Sequence, residues 1–223
     1  RIEAMRARGG RLVVVDPRRS RTAEEADVHL AIRPGTDAFL LAALITTLAE
    51  AGRVEPGAAG EWVQGLDEVL AELAPFTADA VAATVGIDAD TIRRLALEIA
   101  DAPSAAVYGR MGTTTAEFGT VASWLVDVLN VVTGNLDRPG GAMFAKAAAG
   151  ASNTRGASRT GRGLRVGRHQ TRVRGLAETM GELPAACLAE EIDTPGEGQI
   201  RGMVTVAGNP VLSTPNGDRL DAA

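Results

Sequence analysis

The chain has 223 residues, a net charge of −5, 45% apolar residues and 3% aromatics. That length allows roughly one or two domains of about 100–200 residues, with a core of Ala, Val and Leu, while the acidic balance and few aromatics argue against a base-stacking nucleic-acid binder. The single cysteine, Cys187, excludes an internal disulfide scaffold, and the two histidines, His29 and His169, lack zinc-ligand spacing.

Residues 2–8 read as the tail of a helix closed at Gly9-Gly10. RLVVVD follows as a strand buried on both faces, because its β-branched residues are continuous. TAEEADV predicts a short helix with Thr22 as N-cap and Glu25 three residues on, and HLAI predicts a second strand. Pro34-Gly35 turns the chain, then Thr36 or Asp37 caps the helix AFLLAALITTLAEAG, which stops at Gly52. This order predicts an α/β fold with a parallel sheet and flanking helices. Three helices are expected over 61–101, the last capped by Asp88 or Asp90 and stopped by Pro103. SAAVYG predicts a strand, residues 116–134 a long helix, and NLDRPGG a turn cluster.

From 138 to 177 there is no acidic residue, yet Arg138, Arg155, Arg159, Arg162, Arg165, Arg168, Arg172, Arg174 and Lys146 lie there, a local +9. Such a stretch buries too little apolar surface to order itself alone, and it is read as a loop facing an anionic ligand. VTVAGNPVLST then predicts a strand at Val204–Val206, a turn and a new helix. The expected domains are 1–102 and 103–223, with an Arg/Gly-rich loop at about 145–175. No apolar run reaches the ~20 residues of a membrane helix and no signal-peptide pattern opens the chain; the cytoplasm is the favoured compartment. Arg1 starts inside a helical pattern, so the chain reads as a piece of a longer protein.

Three strand-to-turn sites could carry chemistry. Asp16 closes the first strand, where ligands of open parallel sheets lie. A carboxylate there accepts from a ribose hydroxyl or a guanine edge, and Arg18 can pair with phosphate. The other reading is that Asp16 starts a turn before Pro17 and Asp37 caps a helix. VYGRMGTTTAEFG is either an anion site on free N–H groups or a plain tight connection; no Gly-Lys-Ser/Thr makes it a P-loop. Gly208-Asn209-Pro210 offers an amide donor and acceptor, with hydroxyls at Ser213 and Thr214. No catalytic triad or pair of catalytic carboxylates stands out. Cys187 reads as an inert buried thiol and His29 as structural.

VVDPRRSRTAEEADVHLAIRPGTDAFLLAAL closely resembles a signature segment of the molybdopterin oxidoreductases, the dimethyl sulfoxide reductase superfamily. VVTGNLDRPGGAMF is similar to the family's Thr-Gly-Asn-x-x-x-Pro-Gly-Gly stretch, and AGNPVLSTP resembles its later Gly-Asn-Pro turn. The segments look nearest to formate-dehydrogenase-like members. The resemblance implies two molybdopterin guanine dinucleotides holding one molybdenum or tungsten. Asp16, Arg18, Gly35 and Asp37 fall where the family holds one dinucleotide. Met111, Gly112 and Thr115, with Gly208, Asn209 and Pro210, fall where the second is approached. Lys146 lies near the basic residue that formate-dehydrogenase-like members place by the metal, and is the one catalytic candidate. The family's four-cysteine segment for a 4Fe–4S cluster, its metal-ligating side chain and its carboxyl-terminal pterin-binding domain are not in this sequence. The resemblance also implies a small substrate such as formate or an oxyanion, and an electron-transfer subunit as partner. The alternative is a cofactor-free scaffold similar to the large iron–sulfur subunit of NADH dehydrogenase.

Overall fold

In the computed structural model, residues 2–143, 167–179 and 181–223 are described. The chain divides into two units, Arg1–Phe144 and Ala145–Ala223.

The first unit starts with helix α1 (Ile2–Arg6) and strand β1 (Val13–Val15). Helix α2 (Arg21–Glu24) crosses over to strand β2 (Val28–Leu30), which pairs with β1 in parallel, Val14 opposite His29. A parallel pair needs such a crossover. The N-cap of α2 is Ser20, whose hydroxyl accepts the Ala23 N–H, and not Thr22. The valines of β1 are half-buried, not covered on both faces. The sheet has two strands among the described residues. Val13 and Val15, on one face by the two-residue period, pack on the helical core.

That core is built around helix α3 (Asp37–Glu50), in which residues 40–48 are all buried, the pattern of a helix covered all round. Helices α4 (Leu66–Leu73), α5 (Ala78–Val85) and α6 (Ala89–Asp101) follow where the periodicity puts them. Asp88 caps α6, its carboxylate accepting the Thr91 N–H at 2.8 Å. Helices α7 (Met111–Thr114) and α8 (Gly119–Val132) complete the unit. Helix α3 packs against α5, α6 and α8. Ile45, Leu48, Ile92 and Leu129 are fully enclosed, each worth on the order of 2 kcal/mol of transfer free energy. Residues from both sides of position 102 therefore share one core.

The long helix expected over 116–134 is α8, which begins three residues later: at Gly119 the chain passes so close beneath the Thr114 carbonyl that a Cβ would strike it. One expectation fails here for a local reason. SAAVYG forms no strand, because its polar backbone finds side-chain partners instead.

In the second unit, antiparallel bridges Gln170–Ala177 and Thr179–Glu182 precede helices α9 (Leu188–Asp193), α10 (Pro210–Ser213) and α11 (Gly217–Ala222). Val204 to Val206 form no strand; Val204 and Val206 are 89% and 86% exposed, with no ladder partner among the described residues. Ion pairs knit this unit: Arg168–Glu178, Arg172–Glu191, Arg174–Glu190 and Arg219–Asp193. Glu178 is buried, and its carboxylate accepts from the Arg168 side chain and from the N–H groups of Arg168 and Gly181. The Arg168 guanidinium, aided by those N–H groups and opposed by burial, holds the Glu178 pKa down at about 2. Arg168, Arg172 and Arg174 thus serve acidic partners within the unit. Lys146 and Arg155, Arg159, Arg162 and Arg165 lie outside the described residues.

Candidate cofactor site

The first candidate turn sits at the carboxyl ends of β1 and β2. The Asp16 N–H donates to the Leu30 carbonyl, extending the ladder by one bond. His29 Nε2 lies 2.9 Å from the Asp16 carbonyl and must donate to it, so His29 is structural. The Asp16 carboxylate accepts the Arg18 N–H at 2.8 Å. Asp16 therefore does start a turn, and its second carboxylate oxygen has no partner among the described residues. Across the edge, Pro34-Gly35 occupies the centre of a turn in which Thr36 N–H donates to the Arg33 carbonyl. Gly35 has φ +80°, the conformation a type II turn requires of its third residue. The Thr36 hydroxyl also donates to the Arg33 carbonyl and leaves the α3 cap without a side chain.

Asp37 opens α3, half-buried. Burial raises its pKa, and the negative charge of Asp16 raises it further, against its own backbone N–H. The two carboxylates named from the sequence are thus within electrostatic reach of each other. Neither has a basic side chain paired to it among the described residues, and neither does the Arg18 guanidinium have an acidic one.

The second turn follows Ala105–Gly109. Asn130, buried at 1% exposure, brackets Val107: Oδ1 accepts its N–H at 3.0 Å and Nδ2 donates to its carbonyl at 2.9 Å. Asn135 accepts the Ala105 N–H at 3.0 Å. These amides take the place of a neighbouring strand. The bracketed segment leads to Arg110, then Met111, which is exposed. Hydroxyls of Thr113 and Thr115 donate to the Arg110 and Met111 carbonyls. A Cβ on Gly112 would meet nothing. An edge-on ring pair, Phe39 and Phe118 at 6.3 Å, ties the start of α3 to the segment between α7 and α8.

The third turn belongs to the second unit. Asn209 Oδ1 accepts the Val211 N–H, capping α10, with Pro210 at the first helical position. Its Nδ2 has no partner among the described residues. Ser213 and Thr214 donate to backbone carbonyls of Asn209 and Pro210, so their protons are committed. Gly208 has neither a positive φ nor a neighbour closer than 4.0 Å to an added Cβ.

Sequence reading missed Asn130. Its signal was an isolated amide in the apolar run VDVLNVV, where Asn is a poor helix former. Cys187 is buried as expected, but Arg174 donates to its sulfur at 3.3 Å.

The whole described chain matches one family, the molybdopterin oxidoreductases, over residues 2–223. The chain belongs to the molybdopterin oxidoreductase family. It is 32% identical to an assimilatory nitrate reductase of Haloferax mediterranei over 94% of this chain and 30% of the relative. It is 30% identical to formate dehydrogenase H of Escherichia coli over 59% of this chain and 18% of the relative. Among solved structures it is similar to acetylene hydratase of Pelobacter acetylenicus, with a TM-score of 0.56 and 29% identity over 60% of this chain and 18% of that one. The chain therefore spans less than a third of these molybdopterin oxidoreductase relatives. Membership implies a molybdopterin-type cofactor with molybdenum or tungsten. Among the described residues no three His, Cys, Asp or Glu side chains gather as a metal site. No helix among them is long and apolar enough to cross a membrane.

Proposed function

We propose that the chain is the central, cofactor-holding part of a bis(molybdopterin guanine dinucleotide) oxidoreductase that moves two electrons between molybdenum or tungsten and a small substrate such as formate or an oxyanion. The observation that carries this reading is the Asp16–Asp37 pair. Two carboxylates stand at the carboxyl edge of a parallel sheet, with Asp37 held partly out of water, and no Lys or Arg pairs with either among the described residues. Such a pair calls for N–H or O–H donors. A guanine edge has N1–H and amino donors, and a ribose has hydroxyls. The adjacent Arg18, whose guanidinium has no acidic partner among the described residues, suits a pyrophosphate.

Two glycines support the same reading. Neither Gly112 nor Gly208 is required by its own backbone or by packing in the described chain. Glycine at such places suits the close approach of a bound group. Met111, Gly112 and Thr115 would then face the second dinucleotide; in the second unit, Gly208, Pro210 and the Asn209 Nδ2, which has no partner among the described residues, would offer a contact to a dinucleotide. When bound, the group supplies the metal redox chemistry. The residues here accept its donors, match its charge and fix its place. The partner would be an electron-transfer subunit reached through an iron–sulfur centre.

The test uses the full-length protein produced with molybdate or tungstate. Metal by mass spectrometry and GMP released by acid should appear in a ratio of two GMP per metal. Protein that folds and assembles with subunit partners while lacking both metal and pterin would defeat the reading in favour of a cofactor-free scaffold.

A further inference from the structure

We infer that Asn130 is a positioning residue: it sets the place of the Gly109–Gly112 turn and thereby the grip of that turn on the cofactor. The inference rests on the reading above that Met111 and Gly112 approach the cofactor.

The geometry is specific. An extended segment presents the polar groups of alternate residues along one edge. On Ala105–Gly109 that edge is filled by side chains: Asn135 Oδ1 on the Ala105 N–H, and Asn130 on both the N–H and the carbonyl of Val107. Asn130 also donates from Nδ2 to the Val126 carbonyl one helical turn back at 2.9 Å. Its amide is thereby locked in one orientation, with the oxygen toward Val107 N–H. The Asn130 carbonyl accepts the N–H groups of Asn135 and Leu136, so one residue anchors the second amide as well. Beyond Val107 no hydrogen bond from another element holds the chain before the turn among the described residues: Tyr108 and Met111 are 78% and 69% exposed. Two residues of chain connect the bracket to Arg110. A change at Asn130 therefore moves the turn without touching it.

Asn130→Asp separates positioning from mere packing. The shape is kept. The ionised form still accepts the Val107 N–H, but its other oxygen faces the carbonyls of Val107 and Val126. Protonation supplies one O–H, which restores the donor to the Val107 carbonyl. Burial and those carbonyls favour the protonated form, so the substituted acid titrates above the usual range of Asp.

The experiment compares full-length wild type, Asn130→Asp and a control, Thr46→Val, which loses a hydrogen bond elsewhere in the same unit. Amide exchange over residues 105–112 and pterin retained after gel filtration are followed against pH. Expected for Asn130→Asp is exchange on the order of tenfold faster over 105–112 and a lower pterin content at alkaline pH, both recovering as pH falls. The control should change neither. Wild-type exchange in Asn130→Asp, or faster exchange with unaltered pterin retention, overturns the inference. So does a pterin loss that ignores pH. Wild-type protein without pterin would instead sink the underlying cofactor reading, while the exchange measurement still reports whether Asn130 holds the segment.

Discussion

Thr46 and Thr47 are neighbours in α3, and both are buried, at 4% and 6% exposure. The Thr46 hydroxyl donates to the Leu73 carbonyl at 2.9 Å, tying α3 to the end of α4. The Thr47 hydroxyl has no partner among the described residues. One chemical change, Thr→Val, should therefore have opposite signs at adjacent positions. Thr46→Val removes a net hydrogen bond, about 1 kcal/mol. The loss is not larger, because the Leu73 carbonyl keeps the Phe76 N–H. Thr47→Val relieves an unsatisfied buried hydroxyl and adds a buried methyl, together worth about 1 kcal/mol or more. The gap between the two variants is then about 2 kcal/mol, roughly a factor of 30 in a local opening equilibrium. Amide exchange of α3 in the full-length protein reads it directly, without assuming that a multidomain chain unfolds in one step. If Thr47→Val loosens α3 as much as Thr46→Val, the assignment of partners inside this core is wrong.

Three further outcomes follow from the same contacts. The Glu178 pKa is depressed in the folded protein, so its support for the second unit is full above 4.5 and is lost as pH falls through about 2; Glu178→Gln should abolish that acid dependence of amide protection over 167–179, and an unchanged dependence would exclude Glu178 as its source. Gly119→Ala drives a Cβ into the Thr114 carbonyl and should cost about 1–3 kcal/mol, whereas Gly112→Ala meets open space and should leave the melting temperature alone while lowering bound pterin. Asp16→Asn keeps an oxygen for the Arg18 N–H and loses only charge, so pterin content should drop with little change in stability; Asp16→Ala should lower both, and equal pterin content in all three proteins would remove Asp16 from the site.

The helices were legible because their signals are local. Residues 40–48 of α3 are apolar nearly without break, which announces a helix covered all round, and Asp88 and Gly52 mark ends by their own chemistry. The carboxylates Asp16 and Asp37 were legible as a pair because β-strand and turn each have a fixed period that delivers them to one sheet edge. The cap of α2 was misplaced by two residues, from Ser20 to Thr22, because Ser and Thr both cap helices and the run SRTAEE offers both. Arg168, Arg172 and Arg174 were misjudged for a different reason. Their acidic partners, Glu178, Glu190 and Glu191, come later in the chain, and no charge count over 138–177 contains them.

The two missing strands make the physical point most clearly. SAAVYG and VTVA are both made mostly of small and β-branched residues, yet a strand is defined by a partner and not by its own residues. At Val107 the partner is an asparagine from α8, so the backbone is satisfied but no ladder forms. At Val204 and Val206 no partner stands among the described residues and the side chains lie open. What covers such segments is set by long-range placement: Asn130, an amide that looks out of place in its own helix, holds the Val107 backbone that no strand partner reaches among the described residues.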